Sequence, residues 1–220
     1  MTDFAAARRK MVDGQVRPAD VTDLRLIAAM LEVPRERFVP AAMAALAYLD
    51  NDVALNERGA AAARKSLKPM VLAKLIAAAA VGANDRVLVA GCGTGYSAAI
   101  LGYLAREVIA LEQDAGLARR AMEALREQRN VTVVSGELAA GWPTRAPYDA
   151  ILLDGATEIV PQVLLSQLGE EGRLVCVLGA PPASKATLYR RSGGEVGSRP
   201  IFDASAPLLP GFAKPPAFAF

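Results

Sequence analysis

Hydrophobic positions along the 220-residue chain change their period twice. Over residues 4–16 and 21–31 apolar side chains recur at helical spacing, and Asp20 stands where an N-cap for the second stretch belongs. Pro34 and Pro40 bracket residues 35–39 and interrupt the pattern, and residues 41–47 read as another short helical piece before a turn at 50–52. Pro69 is placed to open an Ala/Leu-rich helix over 70–80, with Gly82 as its C′ glycine. The period then shortens. Residues 86–90 form an almost wholly apolar run that fits a strand buried on both faces, and it leads directly into a glycine-rich loop. Helical spacing over 96–104, 117–129 and 160–168 alternates with further short apolar runs at 107–112, 131–134, 150–153 and 173–178.

Repeated β-α alternation predicts an α/β fold, a doubly wound, mostly parallel sheet with helices on both faces. Past Pro181-Pro182 the pattern becomes two short runs, 187–190 and 200–202, around Ser192-Gly193-Gly194, which predicts an antiparallel hairpin at the sheet edge. The pattern gives no place to the Pro- and Phe-rich stretch 207–220. The length suits one domain over 1–220. Within it, 1–80 forms a helical N-terminal appendage, 81–180 a core, and 181–220 a hairpin and tail.

Composition changes the picture in three places. Basic and acidic residues nearly balance, 25 against 23, and are spread along the chain, so no electrostatic footprint for nucleic acid stands out and none is expected as a partner. No apolar run spans a bilayer and no secretory signal pattern opens the chain, so a cytoplasmic protein without a membrane partner is expected, its Cys92 and Cys176 reduced. There is no histidine. That removes the commonest general base and metal ligand and every Ser-His or Cys-His hydrolase mechanism, and no metal site is expected.

The candidate chemistry sits at the first strand's end, where open parallel sheets bind ligands. Gly91-Cys92-Gly93-Thr94-Gly95 is followed by Tyr96, where a dinucleotide-binding loop would want its third glycine. A loop of this spacing lets a compact, uncharged ligand approach bare backbone; an ordinary Gly-rich turn is the alternative. Glu112 closes the next strand, where a carboxylate can accept both hydroxyls of a ribose. Glu137 follows the third strand, level with where an adenine amino group would lie, and Asp154 ends the fourth and faces the same crevice, as a pocket residue or a helix cap. Cys92 and Cys176 read as a small loop residue and a core residue, and Trp142 either packs over the adenine side or serves packing alone.

Several ordered segments carry a resemblance: Met11-Val-Asp-Gly-Gln-Val-Arg17, Val33-Pro-Arg-Glu-Arg-Phe-Val39, Ala47-Tyr-Leu-Asp50, the glycine loop with Tyr96-Ser-Ala-Ala, and Gly141-Trp142 ahead of Tyr148-Asp-Ala-Ile151. From about residue 8 to residue 179 the chain resembles the protein-L-isoaspartate O-methyltransferase family. The resemblance implies a Rossmann-like fold, S-adenosylmethionine as cofactor, and an isoaspartyl-containing protein or peptide as substrate. It puts Gly91, Gly93 and Gly95 beneath the cofactor, Glu112 on its ribose and Glu137 near its adenine. Methyl transfer to a carboxylate needs no base, because that nucleophile is already ionised above its ordinary pKa of about 4, so a histidine-free chain is compatible with it.

The chain departs from the family pattern at Val89, where an acidic residue is usual ahead of the first glycine, and in its C-terminal Phe202-Asp-Ala-Ser-Ala-Pro-Leu-Leu-Pro-Gly-Phe212. It also reads Lys65-Ser66-Leu67-Lys68-Pro69 where the family carries a Thr-Ile-Ser-x-Pro-like stretch against the acceptor, which sets Leu67 at the serine position. Ser66, one residue away, and Arg64, by its charge, are the candidate catalytic residues, with a solvated loop before a helix as the plainer alternative. The departures leave two other functions open: methylation of a different carboxylate, and a non-catalytic module that keeps the fold.

Overall fold

The computed structural model describes residues 3–56 and 64–215. Its centre is a seven-stranded sheet in the order β5-β4-β3-β6-β7-β8-β9. β3 (Arg86–Ala90), β4 (Glu107–Glu112), β5 (Val131–Ser135), β6 (Tyr148–Thr157) and β7 (Leu168–Leu178) run parallel. β8 (Lys185–Ser192) and β9 (Glu195–Asp203) complete the sheet antiparallel, as the sequence pattern anticipates. A separate two-residue pair, β1 (Val53–Ala54) with β2 (Lys65–Ser66), has no counterpart in that pattern.

β3, β4 and β6 are legible because both of their faces are buried, so alternate residues feed two different cores, while the edge strand β5 is only half-buried. Val87, Val89, Val108, Ala110 and Leu152 face a layer containing α1 (Phe4–Met11), α2 (Leu24–Glu32), α3 (Pro69–Ala79), α4 (Tyr96–Gly102) and α5 (Ala115–Leu125). Leu88, Ala90, Ile109, Leu111, Ile151 and Leu153 face the other way, onto Leu164 and Leu165 of α6 (Gln162–Ser166) and onto Leu209 and Phe212 of the C-terminal segment. The second layer is thus a five-residue helix supplemented by Leu138 and Trp142 of the turn after β5 and by the C-terminal segment. Its shortness reflects where β7 starts: Leu168, expected to close the helix, is already extended and pairs with Tyr148.

Three local expectations shift. The helical run over 4–16 ends as α-helix at Met11 and continues as a π-helical turn over Val12–Val16. The cap of α2 is Asp23, whose carboxylate accepts from the amides of Arg25 and Leu26, whereas Asp20 takes a left-handed turn with φ 62°. At the end of α3 the left-handed residue is Ala80, and Gly82 instead donates its N–H to Asp85.

The strand order reverses between β3 and β6. Successive strands step outward from β3 through β5, and the chain then returns to place β6 on β3's other side. The carboxyl ends of β3 and β6 therefore flank the crevice in which such sheets bind ligands.

Candidate functional site in the crevice between β3 and β6

The glycine loop leaves β3 with positive φ at Gly91 (83°), Gly93 (58°) and Gly95 (99°), a conformation that side chains disfavour. The amides of Gly91 and Cys92 donate to the carbonyl of Leu111, which ties the loop to the neighbouring strand end. Glu112 is fully buried there and its oxygens take five hydrogen bonds: from Arg64 Nη1 (2.7 Å) and Nη2 (2.9 Å), and from the amides of Gly93, Gln113 and Asp114. Arg64 Nη2 also donates to the carbonyl of Gly91 at 3.0 Å.

Arg64 was expected on the acceptor side, free to meet a carboxylate. Its guanidinium is instead buried against Glu112, because a carboxylate removed from water requires a cation or a dense set of donors, and Glu112 has both. Ser66 lies buried in β2 opposite Val53, and Leu67 beside it is 1% exposed. The loop is held from below by Arg35, which donates from Nε to Ala47 O and from Nη2 to Leu67 O, both at 2.7 Å. Arg35 is itself completely buried over the Tyr96 ring, and burial pushes its guanidinium below the ordinary range against the opposing pull of Tyr96 and Asp154. Residues 57–63 lie outside the described residues.

Across the crevice, Asp154 Oδ2 accepts from Ser97 Oγ at 2.5 Å, while its Oδ1 is buried with no partner. Burial pushes this carboxyl up to about 6, with Ser97 and then Arg64 and Arg35 pulling the other way. Asp154 caps no helix; it lies within β6. Glu137 is exposed, just ahead of a short 3-10 turn, and Trp142 packs on the neighbouring Gly136. Both cysteines are buried and free, and burial pushes both thiols up, Cys176 to about 12, which fits the packing roles expected of them.

The scaffold suits the expected cofactor in its bare left-handed backbone at the strand end and its unpartnered carboxylate oxygen on the far wall, while the carboxylate on the next strand is held by Arg64 and three amides. The model for the protein-L-isoaspartate(D-aspartate) O-methyltransferase family matches residues 7–201. The chain belongs to this family. A protein-L-isoaspartate O-methyltransferase of Koribacter versatilis is 34% identical over 198 residues, covering 89% of this chain and 87% of that protein. One from Rhodopseudomonas palustris, protein-L-isoaspartate O-methyltransferase 1, is 38% identical over 213 residues, 94% and 85% of the two chains.

Two solved structures are similar in fold. A protein-L-isoaspartate O-methyltransferase superposes with a TM-score of 0.80 at 24% identity over 93% of this chain and 66% of its own. A putative one from Plasmodium falciparum, in complex with S-adenosyl-L-homocysteine, gives 0.75 at 16% identity over 95% and 99%. The resemblance read from the ordered motifs, and the fold it implied, agree with these matches. Sequence reasoning about this isoaspartyl methyltransferase family member missed three residues at the crevice. Arg35 and Ser97 each lie inside a motif that carries the resemblance but had no role assigned, and Leu209 belongs to a segment with no readable period.

Proposed function

We propose that the chain is an S-adenosylmethionine-dependent carboxyl O-methyltransferase acting on isoaspartyl residues of proteins and peptides. Family membership carries this reading, and the crevice at the strand-order reversal supports it. Bound there, S-adenosylmethionine would supply a methyl group on a sulfonium for transfer to a carboxylate oxygen, with S-adenosylhomocysteine as the co-product. The chain's own residues bind and position. Gly91, Gly93 and Gly95 offer bare backbone to the cofactor, Glu112 is assigned to its ribose hydroxyls, Glu137 to its adenine, and Asp154 to the opposite wall. No residue has to remove a proton, since the acceptor is ionised at neutral pH. The protein's work is to hold the two partners in line and keep water out.

On the acceptor side, Ser66 is the candidate contact. Leu67 at the serine position of the family pattern favours a second reading, methylation of a different carboxylate, because a side chain 1% exposed and without a polar atom offers an acceptor no hydrogen bond. Among the described residues no helix is long and apolar enough to cross a membrane.

The test uses radiolabelled S-adenosylmethionine with an isoaspartyl peptide beside its normal aspartyl twin. Base-labile label on the isoaspartyl peptide alone is the expected result. Label on neither peptide but on another carboxylate would favour the second reading, and no transfer to any carboxylate would refute both.

A further inference from the structure

Asp154 stands where β6 runs past the end of β3. The two strands pair in parallel as far as Ala90 and Leu153, and at the next residue β3 has turned into Gly91 while β6 continues. Side chains alternate across a strand. Leu152 and Ala156 belong to the core that contains Val89, and Asp154 between them projects to that same face. There it meets the first turn of α4, where Ser97 Oγ donates to Oδ2 at 2.5 Å. Val89, the partner of Leu152, is apolar and buried at the position where an acidic residue is usual ahead of the glycine loop. On this face of the sheet the carboxylate nearest the loop therefore comes from β6 and not from β3.

The two oxygens of that carboxylate differ. Oδ2 has its hydroxyl donor, whereas Oδ1 is the one buried carboxylate oxygen without a partner among the described residues. Neither neighbouring arginine donates to it: Arg64 is bound to Glu112 and to Gly91 O, and Arg35 to Ala47 O and Leu67 O. A carboxylate oxygen taken from water without a donor costs free energy that a cationic N–H group recovers. S-adenosylmethionine carries one such group, the ammonium of its amino-acid end, with a positive charge and three N–H donors. Its sulfonium has charge but no N–H, and Glu112 and Glu137 are assigned to its ribose and adenine.

We propose that Asp154 holds the α-ammonium group of the cofactor through Oδ1, with Ser97 fixing the carboxylate from α4. The proposal rests on the methyltransferase reading and names the residue by which this chain recognises the amino-acid end of its cofactor. Asp154 has to be ionised to do so. Burial raises its carboxyl to about 6, Ser97, Arg64 and Arg35 oppose that rise, and Glu112 adds to it. The nearby Cys92 thiol is kept neutral by burial. An ammonium against Oδ1 favours the charged form and lowers this titration.

The test titrates two ligands calorimetrically into the unaltered chain and into the isosteric Asp154→Asn. One is S-adenosylhomocysteine, which has no sulfonium charge, and the other is its deaminated analogue, with hydrogen in place of the α-amino group. The unaltered chain is expected to prefer S-adenosylhomocysteine by roughly tenfold to a hundredfold, and Asp154→Asn to bind both ligands about alike. In the unaltered chain, carbon-13 NMR of labelled aspartate follows the Asp154 carboxyl directly. Its titration is expected to move down with S-adenosylhomocysteine and to stay in place with the deaminated analogue. Equal affinities in the unaltered chain, a preference that survives in Asp154→Asn, or a titration indifferent to the amino group each overturn the proposal and leave the methyltransferase reading intact. Binding of neither ligand to either protein overturns that reading, and the proposal with it.

Discussion

The two carboxylates that face each other across the crevice are treated in opposite ways. Glu112, at the end of β4, is completely buried and answered by an arginine and three backbone amides. Asp154, in β6, has one hydroxyl donor and one buried oxygen with no partner. The first is a settled ion pair, whose attraction offsets the loss of water only because every lone pair is engaged. The second is a carboxyl whose charged form is disfavoured by burial and which sits near 6, the range in which a ligand or a proton can change its state. One wall of the site is thus fixed by satisfied charge, and the other is left with capacity to spare.

Breaking the settled wall is expected to have the largest effect. Glu112→Gln leaves Arg64, 4% exposed at its side chain, as an uncompensated buried cation. Loss of one partner from a buried pair costs roughly 3–5 kcal/mol, to be read as a lowered urea midpoint.

The open wall gives a smaller and pH-dependent effect. Because the folded state raises the Asp154 pKa to about 6, it binds the proton more tightly than the unfolded chain, whose aspartate titrates at about 4. The stabilisation is fully present below about 4 and is lost as pH rises through about 6. Asp154→Asn is therefore expected to match the native protein near pH 4 and to exceed it by on the order of 2 kcal/mol at pH 8. Unfolding curves at several pH values check this, and a native curve that rises over the same range would contradict it.

Smallest of the three is Ser97→Ala, which removes the donor to Asp154 Oδ2. It is expected to cost about 1 kcal/mol where Asp154 is ionised. It also moves the carboxyl titration further up, because Ser97 is the largest influence holding it down. A carbonyl-region infrared titration of the labelled aspartate reads the direction.

How much of this was legible beforehand follows from how local each feature is. The parallel strands β3, β4 and β6 were readable because two-sided burial writes itself into every residue of a run such as Arg86–Ala90. The glycine loop and Glu112 were readable because strand ends fix where such residues stand relative to one another. Asp20 misled because two acidic residues precede the same helix, and only the backbone turn at Asp20 decides that Asp23 caps it. The partner of Glu112 lies 48 residues earlier in the chain, and the segment on Gly91 and Gly155 lies far beyond it in sequence, with no period of its own. Contacts of that range leave no mark on local spacing. Arg64 accordingly looked like a free charge near an acceptor, and the C-terminal segment looked like a tail, when both are parts of the crevice wall.

The crevice between β3 and β6 as the cofactor site is tested most directly by titrating S-adenosylhomocysteine into the nitrogen-15-labelled chain and following its backbone amides. The expected result is movement centred on Gly91, Gly93 and Gly95 together with Gln113 and Asp114, whose amides bond to Glu112. Movement confined to other parts of the surface, with these five amides still, would contradict the assignment.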